Sequence, residues 1–534
     1  MQKEFDVIVI GGGATGLGVA VEAAHSGYKT LLLEAHDFGK GTSSKSTKLV
    51  HGGIRYLANL DFKLVREGLS ERFYFLQNAP HIAHAQAYLV PFYSWWERIS
   101  YFFGINLYDF LAGRKKIGLS QFLNRQQTLT IAPDLNTHHL KGGAIYYDGQ
   151  FDDTRMLITL LRTFQSLGGI AYNYHEVTGL IKDAHNKIIG VKVRDKFKIQ
   201  FGNNSVTPET IQEYDHGSTF NFIAKVVINA TGTLTDAILD IDEPQEKHAH
   251  VEAAQGTHLV FDRNIFDSKY ALVIPKTIDK RVLFVLPWHD KVVVGTTDIA
   301  VSSPTLDPNA TEAEINFILD TLNNYTNKKV TRHDIRSVFA GQRPLVRPNA
   351  HVNSSKISRK HEIFLSHSGL ISIVGGKWTI YRLMGEDTIN FAIKIGALPA
   401  LVHQAPTSTR NFQLFAATHN PLPYPLSVYG SDAVVIQDIQ KETHNYAKIH
   451  ENLPYLQAEV IYHVRYEMAK TVEDVLMRRT RAILLNARAA IAAAPLVAQL
   501  MATELGKSSE WIADQIHQFN LVATSYHGLA DVIH

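Results

Sequence analysis

Cysteine is absent from all 534 residues. That excludes disulfides, thiolate metal sites, a cysteine nucleophile and a cysteinyl-linked cofactor, and it fits a reducing compartment. Charge of one sign is not in excess either. The formal net charge is +2, so no overall field selects nucleic acid or membrane, and any basic site must be local. No stretch is apolar for long enough to read as a membrane span. The uncharged run 7–21 carries five glycines and reads as strand, turn and helix, without the basic start of a signal peptide. The alanine-rich run 483–502 is broken by Asn486, Arg488 and Pro495, so it reads as one or two buried helices. Histidine is frequent, at 26, yet no HExxH or similar spacing occurs and no metal is expected. Internal repeats and low-complexity tracts are lacking. The chain is therefore expected to be soluble or attached to a surface.

What is present is an ordinary globular composition, 45% hydrophobic and 19% charged, over a length that suits about two to four domains. The most specific stretch is FDVIVIGGGATGLGVAVEAAHSGYKTLLLEA, starting at Phe5. Val7 to Ile10 is a β-branched run suited to a buried parallel strand. Gly11, Gly13 and Gly16 form GxGxxG, with Ala14 and Thr15 opening an apolar helix that Gly27 ends. Glu34 closes the second strand. The first glycine permits a tight turn, the second lets a pyrophosphate approach the backbone, and the third lets helix and strand pack. The helix N-terminus offers free N–H groups to an anion, and Glu34 can accept ribose hydroxyls.

Two further strands run into glycine turns, KVVINATGT at Gly232 and ISIVGGKWTIYR at Gly376. Three such turns scattered along the chain suggest one long cofactor crossing a discontinuous domain, FAD rather than NAD. A helix N-terminus at Gly376 would also stabilise negative charge on a reduced flavin.

GGGATG, TSSKSTKLVHGGIRYL, INATG, GTTD, GQRPL and GGKWTIYR occur here in one order. In this the sequence resembles the FAD-dependent glycerol-3-phosphate dehydrogenases of the bacterial and mitochondrial type, from about residue 4 to 395, with a weaker likeness beyond. The resemblance implies an α/β fold: a glutathione-reductase-like FAD-binding Rossmann domain (1–80, 148–240 and 340–395), a β-rich substrate or cap domain (81–147 and 241–339), a linker (400–428) and an α-helical C-terminal domain (429–534). It implies oxidation of sn-glycerol 3-phosphate to dihydroxyacetone phosphate by hydride transfer from C2 to FAD, with the electrons passed to membrane quinone. Thr42, Ser43, Ser44, Lys48, Leu49 and Val177 are implied to line FAD, and His51, Gly52 and Gly53 to lie near the isoalloxazine. Arg55, Tyr56, Arg343 and Lys377 match residues around the phosphorylated substrate. Thr296, Thr297 and Asp298 read equally as the cap side of the site or as a strand-end turn.

The residue chemistry agrees. A phosphate dianion suits the planar fork of arginine and the point charge of lysine. His51, Arg343 and Lys377 are the candidate catalytic residues. His51 is one candidate for the base that takes the C2 hydroxyl proton; Arg343 or a bound water is the other. Gln255 stands where many relatives carry lysine, Ile380 replaces a common threonine, and no EF-hand loop is present.

Expected partners are glycerol 3-phosphate, a quinone or other electron acceptor, a peripheral membrane contact and a homodimer, with no nucleic acid. The expected location is cytoplasmic, with peripheral attachment to the cytoplasmic face of the inner membrane as the further option. Two stretches are candidates for that contact: the aromatic and basic 91–116, which reads equally as ordinary cap core, and the basic RRTR at 478–481, which reads equally as a solvated face or one packed on the flavin domain. A glycerol-3-phosphate oxidase releasing H2O2, an amino acid oxidase and a non-catalytic flavin scaffold are the competing readings.

Overall fold

The β-branched run near the N-terminus becomes strand β1 (Glu4–Ile10), the centre of a mostly parallel sheet. It pairs parallel with β2 (Thr30–Leu33) on one side and β10 (Thr219–Asn229) on the other. Beyond them lie β7 (Ile170–Tyr172) and β18 (Ile371–Gly375), both parallel as well. Strands β1, β2, β10 and β18 therefore end at one edge, which is where an open α/β sheet presents its ligand crevice. An antiparallel strand, β17 (His361–Leu365), closes one side, and the hairpin β8 (His175–Lys182) and β9 (Ile188–Asp195) is added at β10. Helices α1 (Ala14–His25), α5 (Asp153–Ser166) and Tyr381–Lys394 cover one face over a core that includes Val7, Val9, Leu17, Leu161 and Met384.

This computed structural model describes residues 4–197, 219–277, 281–347, 360–400 and 408–528; parts of each expected domain, and residues 401–407 of the expected linker, lie outside them. A second sheet is largely antiparallel and holds β4 (Ala83–Phe92), β6 (Gly142–Phe151), β11 (Val251–Asp262) and β16 (Ile335–Val346) among its ten strands. Its strands depart from the divisions expected from sequence. The two-residue strand β3 (Leu49–Val50) pairs with β6, and β6 and β16 each run across an expected boundary, because one continuous hydrogen-bonded ladder does not stop where a motif does. Residues 408–414 are pinned rather than free: Asn78 donates to the Thr409 carbonyl, and Leu414 N–H donates to the Asn78 carbonyl.

The C-terminal part is helical, with Gln457–Tyr466, Ala487–Leu505 and Ser509–Ala523 its main helices. The alanine-rich run forms two helices, Ala482–Leu485 and Ala487–Leu505, the second with Pro495 inside it.

Of the alternatives for RRTR, the structure agrees with packing on the flavin domain. The RRTR arginines do not form a membrane-facing surface; Arg478, Arg479 and Arg481 are all buried. Arg478 and Arg479 both donate to the Asp37 carboxylate, at 2.5 to 2.8 Å, and Arg481 donates to Asp153 and to the Ser44 carbonyl. Burial opposes ionisation of Asp37, and the two guanidiniums overcome it and hold the carboxyl below its usual range. Charges so deep are retained only when paired, so these arginines clamp the helical part onto the loop after β2.

Candidate active site

The three glycine turns meet at the shared edge of the parallel sheet. Gly11 and Gly13, Ala230 to Gly232, and Gly375 and Gly376 line one cavity of about 1230 Å³. The local reasons are steric. A Cβ on Gly16 would lie 1.8 Å from the Gly11 carbonyl oxygen, so helix α1 can approach β1 only with glycine there. Gly13 is the residue before α1, and a Cβ on it would meet only Ser43 Oγ, at 3.1 Å. Ser43 Oγ accepts the Ala14 N–H, at 2.9 Å, and thus sits at the helix N-terminus. Glu34 accepts two backbone N–H groups, from Gly12 at 2.7 Å and His36 at 2.8 Å. Each of its oxygens retains a lone pair for a hydroxyl donor. Burial raises the Glu34 pKa, and the two amides oppose that shift.

At the other end, the strap His51–Tyr56 borders the cavity. Its backbone is anchored by Thr379, whose Oγ1 accepts the His51 N–H at 3.1 Å, and by Lys377, whose Nζ donates to the His51 carbonyl at 3.3 Å. The Lys377 ammonium lies 5.2 Å from the Tyr56 ring centroid. Opposite, Arg343 projects from β16 and contacts Thr296 Oγ1 at 3.0 Å and Asp298 Oδ1 at 3.1 Å. A Cβ on Gly256 would lie 2.3 Å from the Arg343 guanidinium, so this glycine keeps the cation's space open.

Every residue expected at the site lines this cavity except Gly16, Ser44, Lys48 and Gly52. Gly16 packs on the Gly11 turn behind the wall. Ser44 is buried, and its carbonyl receives Lys48 Nζ and Arg481. Lys48 is fully buried and paired with Asp153 at 2.5 Å, with its ammonium over the rings of Trp288 and Phe339. Burial lowers its pKa to about 8 despite Asp153. The Lys48 side chain neutralises a carboxylate beneath the cavity instead of facing it. Gly52 donates its amide to Tyr108 and Asp148, the second of which itself lines the cavity.

Several cavity residues escaped the sequence reading, and two of them stand out. His258, in β11, is buried beside Phe339 with the rings stacked at 4.6 Å, and its Nε2 lies 2.9 Å from Thr47 Oγ1. Its Nδ1 has no hydrogen-bond partner among the described residues. Burial, reinforced by Lys48 and Arg343, holds its pKa well below the usual imidazole value, so the ring is neutral. The signal available was GTH at 256–258, one residue after Gln255. The second is Lys45 in TSSKS, which joins Asp307 and the Leu306 carbonyl and whose pKa burial lowers to about 8. Gln255 is buried and donates to Glu314 and the Asn309 carbonyl, so it closes a hydrogen-bonded corner.

Comparison with known proteins places this geometry. A family model described as FAD dependent oxidoreductase matches residues 6–382, and one described as the C-terminal domain of alpha-glycerophosphate oxidase matches 395–511. A probable mitochondrial glycerol-3-phosphate dehydrogenase of Caenorhabditis elegans is 38% identical over 95% of this chain and 71% of that protein. The chain belongs to the FAD-dependent glycerol-3-phosphate dehydrogenase family. The mitochondrial glycerol-3-phosphate dehydrogenase of Rattus norvegicus is 37% identical over 95% and 71% of the two chains. Among solved structures, that of the glycerol-3-phosphate dehydrogenase from Bacillus halodurans complexed with FAD is similar at a TM-score of 0.76 and 28% identity, covering 98% of this chain and 95% of that one. FAD is the cofactor of this family. A cavity lined by three glycine turns, the N-terminus of α1 and the pair of accepting oxygens on Glu34 all fit it.

Proposed function

We propose that this protein oxidises sn-glycerol 3-phosphate to dihydroxyacetone phosphate and delivers the electrons to a membrane quinone. The observation that carries this reading is a single cavity lined both by three glycine turns and by Arg55, Arg343 and Lys377. The names of the relatives supply the substrate, and the site supplies the reason for it. Bound FAD supplies the two-electron acceptor for the C2 hydrogen and the relay to the quinone. Glu34, Ser43 and the N-terminus of α1 hold the cofactor's ribose and pyrophosphate. Arg55, Arg343 and Lys377 hold the phosphate dianion, with Thr296 and Asp298 orienting the Arg343 fork. His51, on a strap fixed from two sides, takes the hydroxyl proton.

Replacing Arg343 or Lys377 by alanine is expected to weaken turnover of glycerol 3-phosphate far more than turnover of glycerol. A lost charged hydrogen bond is worth roughly 1.5–3 kcal/mol, or about 10- to 100-fold. Equal losses with both substrates would show that these residues do not bind phosphate. The match of the C-terminal part to a glycerophosphate oxidase domain favours a second acceptor, O2, with release of H2O2. Turnover with a quinone analogue against O2, with peroxide measured, separates the two.

The quinone reading requires contact with a bilayer. Among the described residues no helix is long and apolar enough to cross one. Helix α3 (Trp95–Ala112) instead supports contact from one side: Ile105, Tyr108 and Ala112 face the core, while Trp96, Phe103 and Phe110 are 81%, 68% and 77% exposed. Arg98 near its start and Arg114 and Lys116 beyond its end are exposed and suit anionic headgroups. Phe103→Glu with Phe110→Glu is expected to abolish co-sedimentation with phosphatidylglycerol vesicles while leaving FAD content unchanged. Full retention on vesicles would remove α3 from the contact.

A further inference from the structure

Behind the strap lies a buried polar network that no step above uses. The Gly52 N–H donates to Tyr108 Oη at 2.9 Å, with Asp148 Oδ1 at 3.4 Å as a second acceptor. Tyr108 Oη is 2.8 and 3.0 Å from the two Asp148 oxygens. Arg72 Nη1 donates to Asp148 Oδ1 at 2.8 Å and to the Tyr147 carbonyl at 3.0 Å, and Nη2 donates to the Lys115 carbonyl at 3.3 Å. An amide and a guanidinium can only donate. Tyr108 therefore accepts from Gly52 and Asp148 Oδ1 accepts from Arg72; burial raises the Asp148 pKa, and Arg72 and Tyr108 oppose that shift. The three side chains come from α2 (Phe62–Asn78), α3 and β6, and all are buried.

The strap has no slack. A Cβ on Gly52 would lie 2.6 Å from both Tyr108 Oη and Leu69 Cγ. A Cβ on Gly68 would lie 2.8 Å from the Gly52 carbonyl oxygen and 3.1 Å from Lys377 Nζ. The residue before Gly52 supplies the carbonyl that holds Lys377, and the residues after it carry Arg55 and Tyr56 into the cavity. A rotation of the Gly52 peptide thus displaces the acceptor of one phosphate-binding cation and the anchor of another.

We propose that Tyr108, held by Asp148 and Arg72, is a positioning residue: by fixing the Gly52 amide it sets Lys377 and Arg55 at the spacing that the substrate's phosphate needs. This rests on the reading of the site as a glycerol 3-phosphate site. It also means that the helix whose outer face is apolar has its inner face bonded to the edge of the catalytic cavity.

The test uses the FAD-loaded enzyme and Tyr108→Phe, which keeps the ring and removes only the hydroxyl. The expected result is full FAD content, a KM for glycerol 3-phosphate raised about three- to tenfold, the effect of one lost hydrogen bond, kcat changed less than about twofold, and turnover of glycerol unaffected. Ile105→Ala, on the same buried side of α3, is the control. It is expected to lower the melting temperature without moving that KM. An unmoved KM in Tyr108→Phe, an equal loss with glycerol, or the same KM shift in Ile105→Ala overturns the inference. Arg343→Ala run alongside separates it from the substrate reading. If Arg343→Ala discriminates between the two substrates and Tyr108→Phe does not, only the positioning role falls; if Arg343→Ala fails to discriminate, both fall.

Discussion

Gly13→Val is expected to purify as a folded, colourless protein. Gly13 has an ordinary extended backbone, φ −87° and ψ −175°, so valine meets no conformational penalty there. Its Cβ would touch only Ser43 Oγ, and the rest of the isopropyl group would stand in the cavity in front of the α1 N-terminus. That is the space a pyrophosphate needs. The expected flavin content is below roughly a tenth of the wild-type value, since the anion loses its approach to the backbone N–H groups. Flavin absorbance per protein, measured with far-UV circular dichroism, decides the matter; a folded variant that stays yellow would dismiss the assignment. Gly16→Val would be a poor test of the same site. Its Cβ would sit 1.8 Å from a backbone oxygen, so loss of flavin there could not be told from loss of the fold.

His51→Asn is expected to slow flavin reduction by glycerol 3-phosphate roughly 10²- to 10⁴-fold while FAD and substrate still bind, the usual contribution of a general base. The side chain borders the cavity, and the backbone on both sides of the ring is held by Thr379 and Lys377 through main-chain atoms that the substitution keeps. The variant should therefore retain the strap and lose only the imidazole. Wild-type reduction should show an acid-side limb, because a protonated imidazole cannot accept a proton, and the variant should lose it. Stopped-flow reduction across pH reads both. The sharpest rival is His258. Burial keeps its ring neutral, so as the base it would produce no such limb in the physiological range. Near-normal reduction in His51→Asn, with an unchanged pH profile and a slow His258→Asn, would move the proton transfer to His258.

The sequence by itself determined the features whose parts lie close together in the chain. The turn at Gly11–Gly16 and the acid at Glu34 belong to one β-α-β unit, so spacing alone reveals an anion-binding helix N-terminus. Arg343 and Lys377 each stand out in a short motif with its own neighbours, though only the tertiary structure brings Lys377, after β18, and Arg343, from β16 of the second sheet, to one cavity. The tertiary structure decided everything that depends on a distant partner. RRTR reads equally as an exposed basic surface or a packed face until Asp37, 441 residues from Arg478, and Asp153, 328 residues from Arg481, are placed against it. Lys48 reads as a cavity residue until Asp153 claims it, and Tyr108 reads as one more aromatic in a dense stretch until Gly52 and Asp148 fold around its hydroxyl. The physical reason is common to these cases. Whether a charged or polar side chain is solvated, paired or aimed into a cavity is set by its desolvation and by the counter-charge that offsets it, and local spacing carries no record of either when that counter-charge arrives from hundreds of residues away.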